Sequence, residues 1–252
     1  MPFSNFSVRE PVYRGWENAV DLLPETSIDG FEVSVRPAEE LSDIVDALRD
    51  AGIEPKTVAG GVKLNDDASL ANYVGALDAL QQFEIPIFFT SASGEDDFDA
   101  AMDMLRDLAE KAAARDVVIA LETHPPYCAN ADGMLATMDA VDHPNLRVNF
   151  DTANIFFYNE DLDSADELER VIDYVASVHL KDTMGGFKSN EFPILGEGVV
   201  DFERIFGTLE AAGFDGPLTL ELEGALVRDM DVQGRHQAVI DSMDYLRSIG
   251  VA

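Results

Sequence analysis

Apolar positions along the chain keep two alternating rhythms. In Pro37–Ala51, Leu41, Ile44, Val45 and Leu48 recur at helical spacing, and Gly52 follows as a C-terminal stop. Phe31–Val35 reads instead as a short strand after a glycine turn. The same succession runs onward: strand Glu54–Ala59, helix Ala68–Phe83, strand Ile85–Thr90 and helix Asp96–Arg115, whose acidic start suits a helix's positive end. A strand at 117–124 follows, then helix Met134–Val141, strand Leu146–Phe150, helix Ala165–Tyr174, strand Val175–Leu180, helix Phe202–Ala212, strand Leu218–Leu222 and helix Gln237–Ile249. Ahead of these lie a helical pattern at Trp16–Leu23 and a faint first strand marked by Phe3, Phe6 and Val8.

Eight strands alternating with helices predict parallel pairing with right-handed crossovers. Units of this length over 252 residues close naturally into a (β/α)8 TIM barrel of the α/β class, one domain over 1–252 with no linker or low-complexity seam. An open doubly wound sheet would call for a glycine-rich phosphate loop after an early strand, and Ala59-Gly60-Gly61 does not match that fingerprint.

In a barrel, chemistry sits at the C-terminal ends of the strands, and four late strands end in polar groups. The fifth, Val-Val-Ile-Ala-Leu-Glu-Thr-His (117–124), ends at Glu122 and His124, which a period of two puts on one side with Ala120. The sixth ends at Asp151, the seventh carries His179, and the eighth carries Glu221 and Glu223. Singly these read as caps, a core histidine or strand-end charges. Together they place like charges at one mouth, where a divalent cation removes the repulsion. Oxygen-rich ligation with one imidazole favours Mn2+ or Mg2+, allows Co2+ or Fe2+, and disfavours structural zinc.

The stretches Leu-Glu-Thr-His (121–124), Asn-Phe-Asp-Thr-Ala-Asn (149–154), His-Leu-Lys-Asp (179–182), Leu-Gly-Glu-Gly-Val-Val-Asp-Phe (195–202) and Leu-Glu-Leu-Glu-Gly (220–224) resemble the xylose isomerase-like barrel superfamily, in particular its sugar phosphate isomerase/epimerase group. The resemblance implies one divalent metal on Glu122, Asp151, His179 and Glu221, with Zn2+ among the metals such sites accept, and Glu122 and Glu221 as the acid/base pair. Glu223 competes with Glu221 for the eighth strand's place, and the spacing from Gly216 favours Glu221. Two departures stand out: Ser177 replaces the first histidine of the common His-x-His, and 183–198 offers only Lys188 where ketose epimerases carry an arginine. His124, Asn154 and Lys181 become candidates for substrate binding, and Asp182 and Glu223 for supporting a ligand or, in Asp182's case, a second metal. The loop Asp182–Gly198, rich in glycine, is long enough to act as a lid. His143 and His236, the latter placed before the last helix, receive no role.

The expected activity is a metal-dependent isomerisation or epimerisation of a sugar, sugar phosphate or sugar-like polyol. A dehydratase acting on a dehydroshikimate- or inosose-like substrate shares the first step. AP endonucleases IV share the barrel, but they need several further histidines and a basic surface, and this chain has four histidines and a net charge of -32. A barrel without catalysis is the remaining class.

The charge, from 49 acidic against 17 basic residues, repels nucleic acid and anionic membranes. One cysteine, Cys128, excludes an internal disulfide, and neither a leader nor an apolar run of about 18 residues is present, so a cytoplasmic protein is expected, with self-association left open. Self-repulsion on this scale fits a halophilic source. Thermal melting followed from low salt to about 1 M KCl, where the Debye length shrinks to about 3 Å, should then rise in midpoint; a flat response removes that origin.

Overall fold

The structure, a computed structural model, describes residues 2–252. Eight strands alternate with helices: β1 (Phe6–Arg9), β2 (Gly30–Ser34), β3 (Glu54–Lys63), β4 (Ile87–Ser93), β5 (Val118–Glu122), β6 (Leu146–Asp151), β7 (Val175–Leu180) and β8 (Leu218–Leu220). Each pairs in parallel with its sequence neighbour, and β1 closes on β8 through Phe6–Leu218, Ser7–Thr219 and Val8–Leu220. The chain is a single-domain, closed (β/α)8 barrel, and the open-sheet alternative is excluded.

Strand alternation divides the molecule into two chemistries. Outward residues such as Val8, Phe31, Val33, Phe88, Ile119, Leu121, Val148, Phe150 and Leu220 are fully buried against the helical ring. That interlayer is the hydrophobic core, and it supplies most of the burial free energy. Many inward residues are polar: Ser7, Glu32, Thr57, Asn149, Ser177, His179 and Thr219 are buried inside the barrel, where branched apolar side chains are the usual filling. Ser177 donates to Asn149 at 2.6 Å and Thr57 to Glu32 at 2.9 Å across neighbouring strands, while the hydroxyls of Ser7 and Thr219 have no hydrogen-bond partner.

Several expected boundaries shift for local reasons. β3 runs four residues beyond Ala59, because Gly60 and Gly61 continue the ladder opposite Thr90 and Ser91 rather than turning. The last helix begins at Val232, where Asp231 accepts from Gly234 N at 2.8 Å, so His236 lies inside it, buried and bonded to Tyr13 at 3.1 Å. Helices Asn154–Tyr158 and Ala225–Arg228 are too short to give a periodic signal. Part of the acid excess starts helices: Asp66, Asp97, Asp163, Asp201 and Asp231 each accept backbone N–H bonds in a first turn.

Asp182 fixes the long loop after β7. Its Oδ1 accepts from Thr183 N (2.8 Å) and Val200 N (3.1 Å), and its Oδ2 from Gly196 N and Gly198 N (both 2.9 Å). A side chain at Gly198 would stand 2.2 Å from that carboxylate, so only glycine lets the backbone approach. The loop thus doubles back on itself, with Val199 N bonded to Thr183 O, and carries Asn190 and Phe192 to the barrel mouth. Replacing Asp182 by Ala should release these donors at about 1–3 kcal/mol for the charged acceptor alone, raising open-loop populations tenfold or more. Limited proteolysis should then cut within 183–199 while the barrel's melting transition persists; an unchanged cleavage rate contradicts the anchoring role.

Candidate metal and active site

Glu122 and Glu221 line a cavity of about 600 Å3 at the C-terminal mouth, and the fully buried Asp151 and His179 lie beside Glu221. Asp151 ends β6, and its two oxygens have different partners. Oδ1 accepts from the backbone N–H groups of Ala153 (2.8 Å) and Asn154 (2.9 Å), while Oδ2 is buried without a hydrogen-bond partner. His179 is fully buried on β7, its Nδ1 2.7 Å from Glu221 Oε2. One ligand atom from each of Asp151, His179 and Glu221 lies within 4.8 Å of the others. Two carboxylates and an imidazole, with an unpartnered buried oxygen, fit a hard or borderline divalent cation.

Glu122 stands outside that triad, at the end of β5, with Ser91 donating to its Oε2. β5 and β8 flank β6 and β7, so Glu122 and Glu221 stand on either side of Asp151 and His179. Their environments push them in opposite directions. Burial, with Glu221 adding repulsion, raises Glu122 above the ordinary carboxylate range. Burial opposes ionisation of Glu221 too, but Arg9, Lys181 and His179 outweigh it and hold its carboxyl well below that range. Burial and the charge of Glu221 push Asp151 up to about 7 against Lys181. For His179 burial favours the neutral ring, yet Glu32 and Glu221 outweigh it and raise the imidazole to about 10.

Glu32 and Arg9 escaped the sequence reading. Glu32 sits in the middle of β2, 1% exposed, with its Oε2 3.1 Å from His179 Nε2 and its Oε1 2.7 Å from Arg9 Nε. Arg9, at the end of β1, also pairs with Glu221 and lies over the Phe89 ring at 5.2 Å. Phe89 in turn packs on the His179 ring at 4.4 Å. A carboxylate on the far nitrogen of a ligating histidine fixes its tautomer and orientation. Glu32 has that position when Nδ1, facing Glu221, is the ligating nitrogen. The alternation Phe31-Glu32-Val33, with one charge inside an apolar strand, was the available signal.

The remaining candidates line the same cavity. Lys181 is buried, 3.7 Å from Asp151 Oδ2, 3.9 Å from Glu221 Oε1, paired with Glu223, and 4.4 Å from the Phe192 ring centroid. Burial opposes its charge, but Asp151, Glu221 and Glu223 outweigh it and keep it protonated. Asn154 accepts from Lys181 at 3.2 Å. His124 packs edge-on against Tyr158 at 4.9 Å, its Nδ1 against Pro125 O. Glu223 is half exposed above Lys181 and outside the triad, and Asp182 serves the loop. Phe157, Tyr158, Phe192 and Arg228 complete the wall without having been expected there.

Asp151→Asn and His179→Ala should each weaken Mn2+ binding by an order of magnitude or more with the fold retained, and Glu32→Gln should cost about 10–100-fold. Calorimetric titration checks all three; wild-type affinity in the Asp151 and His179 variants rejects the ligand set.

Among the described residues no helix is long and apolar enough to cross a membrane. Residues 18–249 match the family described as xylose isomerase-like TIM barrel. The L-ribulose-5-phosphate 3-epimerase of Escherichia coli K12 is 33% identical over 129 residues, 50% of this chain and 44% of that protein, so the match spans less than half of the relative's length. Among solved structures, a xylose isomerase domain protein from Planctomyces limnophilus superposes with a TM-score of 0.82 at 23% identity over 98% of both chains. The D-psicose 3-epimerase from Clostridium cellulolyticum H10 superposes with a TM-score of 0.78 at 14% identity over 97% of this chain and 99% of that one. Those structural likenesses are of fold, and the match over 18–249 carries the assignment: this chain belongs to the xylose isomerase-like TIM barrel family.

Proposed function

We propose that the protein is a divalent-metal-dependent epimerase of a ketose or ketose phosphate, working by proton transfer at the carbon beside the carbonyl. The observation that carries this reading is the convergence of Asp151, His179 and Glu221, the last lining a polar cavity, with Glu122 reaching the same cavity from a separate strand. The partial similarity to L-ribulose-5-phosphate 3-epimerase supports the substrate class, a small carbohydrate.

A divalent cation held by Asp151, His179, Glu221 and Glu122 would polarise the ketose carbonyl and acidify the adjacent C–H. Glu122, whose environment raises its proton affinity, is suited to remove that proton and hold it. Glu221, kept anionic by Arg9, Lys181 and His179, faces the substrate from the other strand and is the partner for return on the opposite face. The ammonium of Lys181 lies close enough to both Asp151 and Glu221 to steady negative charge developing on a substrate oxygen. His124 and Asn154 offer polar contacts to hydroxyl groups, and Phe157, Tyr158 and Phe192 give apolar faces for the sugar's C–H surface.

Turnover of pentuloses, hexuloses and their phosphates with Mn2+ in deuterium oxide tests this directly. Deuterium should enter the carbon that changes configuration, and Glu122→Gln and Glu221→Gln should each abolish turnover, a loss of about 10²–10⁴-fold or more, with Mn2+ still bound in at least one of them. Conversion without solvent deuterium and without a slow internal transfer would transfer the chemistry to a hydride shift. Net loss of water from the substrate would identify a dehydratase, which begins with the same deprotonation.

A further inference from the structure

The cavity's cations differ in what they are free to do. Arg9 is committed to Glu32 and Glu221, and Lys181 to Glu223, Asn154 and the triad carboxylates. Pulling either away would leave a buried carboxylate uncompensated. Arg228, at the end of helix Ala225–Arg228 just after β8, lines the same cavity, is exposed, and has no hydrogen bond or ion pair from its guanidinium.

Arg228 is not isolated. Arg14 Nη2 donates to the carbonyls of Met230 (2.7 Å) and Arg228 (3.3 Å). Arg235 Nη2 donates to Arg228 O at 2.9 Å, its Nε to Met230 O at 3.3 Å and its Nη1 to Pro11 O at 3.2 Å. The guanidinium groups of Arg14 and Arg235 are therefore bonded to the backbone of the 228–230 turn that carries Arg228. Burial lowers Arg235 from its usual value, and the nearby charge of Arg14 lowers it further. Asp231 accepts from Gly234 N at the start of the last helix rather than from these arginines. In a chain with 49 acidic and 17 basic residues, Arg36, Arg49, Arg106, Arg170, Arg204 and Arg247 all meet carboxylates. Arg228, at the rim of a sugar-sized cavity, meets none, and Arg14 and Arg235 add positive charge to the turn that carries it, a placement that favours an anion.

We propose that Arg228, with Arg14 and Arg235 behind it, anchors the phosphate monoester of a sugar phosphate whose other end lies over Asp151, His179 and Glu221. This rests on the reading of the cavity as a sugar site and deepens it from sugars in general to phosphorylated ones. A phosphate monoester presents the several acceptor oxygens that a guanidinium grips two at a time, and Arg228 is the cavity cation with donors to spare. Arg14 and Arg235 hold the turn that carries it and add positive potential from below.

Equilibrium binding to the Mn2+-loaded protein tests the subsite without turnover, using ribitol 5-phosphate and ribitol, which lack the carbonyl. The phosphorylated pentitol should bind about thirtyfold tighter or more. Arg228→Met should bring it to within a few-fold of ribitol, and Arg228→Lys should keep part of the difference, with melting midpoints near wild type because the side chain is exposed. Equal affinity for the two pentitols, or a difference that survives Arg228→Met, overturns the proposal, as does a preference for ribonate, whose end group is a carboxylate. If neither pentitol binds, the sugar reading itself fails, and inorganic phosphate then decides the anion site: binding lost in Arg228→Met supports it, and no difference between the two proteins overturns it.

Discussion

The charge balance around His179 is the constraint on which the site depends. Glu32, Glu122, Asp151, Glu221 and Glu223 crowd one end of the barrel, and Arg9, Lys181 and the imidazole are the positive groups that answer them. None of the deeply buried members tolerates desolvation alone, since an unpaired buried charge costs several kcal/mol. The network therefore acts as a unit, with Glu221 touching Arg9 and His179 and lying near Lys181. Carboxylates still outnumber permanent cations. That deficit, with Asp151 Oδ2 lacking a hydrogen bond, makes the triad receptive to a divalent ion.

The barrel can house this network because its stability comes from elsewhere. The apolar interlayer between strands and helices is continuous around the molecule, so the inward face need not be hydrophobic. Most barrels fill their interior with branched apolar layers, and here much of it is serine, threonine and asparagine, with Ser177–Asn149 and Thr57–Glu32 hydrogen-bonded across strands, rising to charged groups at the mouth. Side chains fixed in this way hold their rotamers, as a ligand set must if it is to bind without reorganisation. The loop after β7 adds the last wall, and Asp182 ties it through four backbone donors rather than through contact with the triad.

Much of this was legible in the sequence, for reasons that also explain what was not. The alternation of strand and helix announces the closed barrel, and β6 to β8 announce the triad because each ends an apolar run with a polar residue. β1 has four residues and lacks a distinct parallel-strand pattern, so Arg9 had no strand end to belong to. Glu32 was hidden differently: a charge alternating with Phe31 and Val33 describes an ordinary strand with one wet face, and only barrel closure turns that face inward. The third strand was expected to end at Ala59 because glycine weakens strand propensity, whereas pairing with β4 carries it through Gly60 and Gly61. Arg228 could not be placed at all, since a four-residue helix has no period.

The overall field and the local chemistry pull in opposite directions for an anionic substrate. A surface carrying -32 repels a phosphate at long range, while guanidinium contacts and a bound cation act within a few ångströms. Salt separates the two scales. At about 0.01 M the screening length is about 30 Å and the whole acidic surface is felt at the mouth, whereas near 1 M it falls to about 3 Å and the contact groups decide. Higher ionic strength relieves the self-repulsion of the folded chain and the repulsion of the ligand together, until direct competition by the salt anion at exposed guanidinium groups takes over. Buried pairs such as Glu32 with His179 lie beyond that competition, being screened far less than groups at the surface. The interior of the barrel thus feels the ionic medium far less than its acidic exterior does, and the rim, where Arg228 and Glu223 are exposed, is the part of the cavity most open to salt.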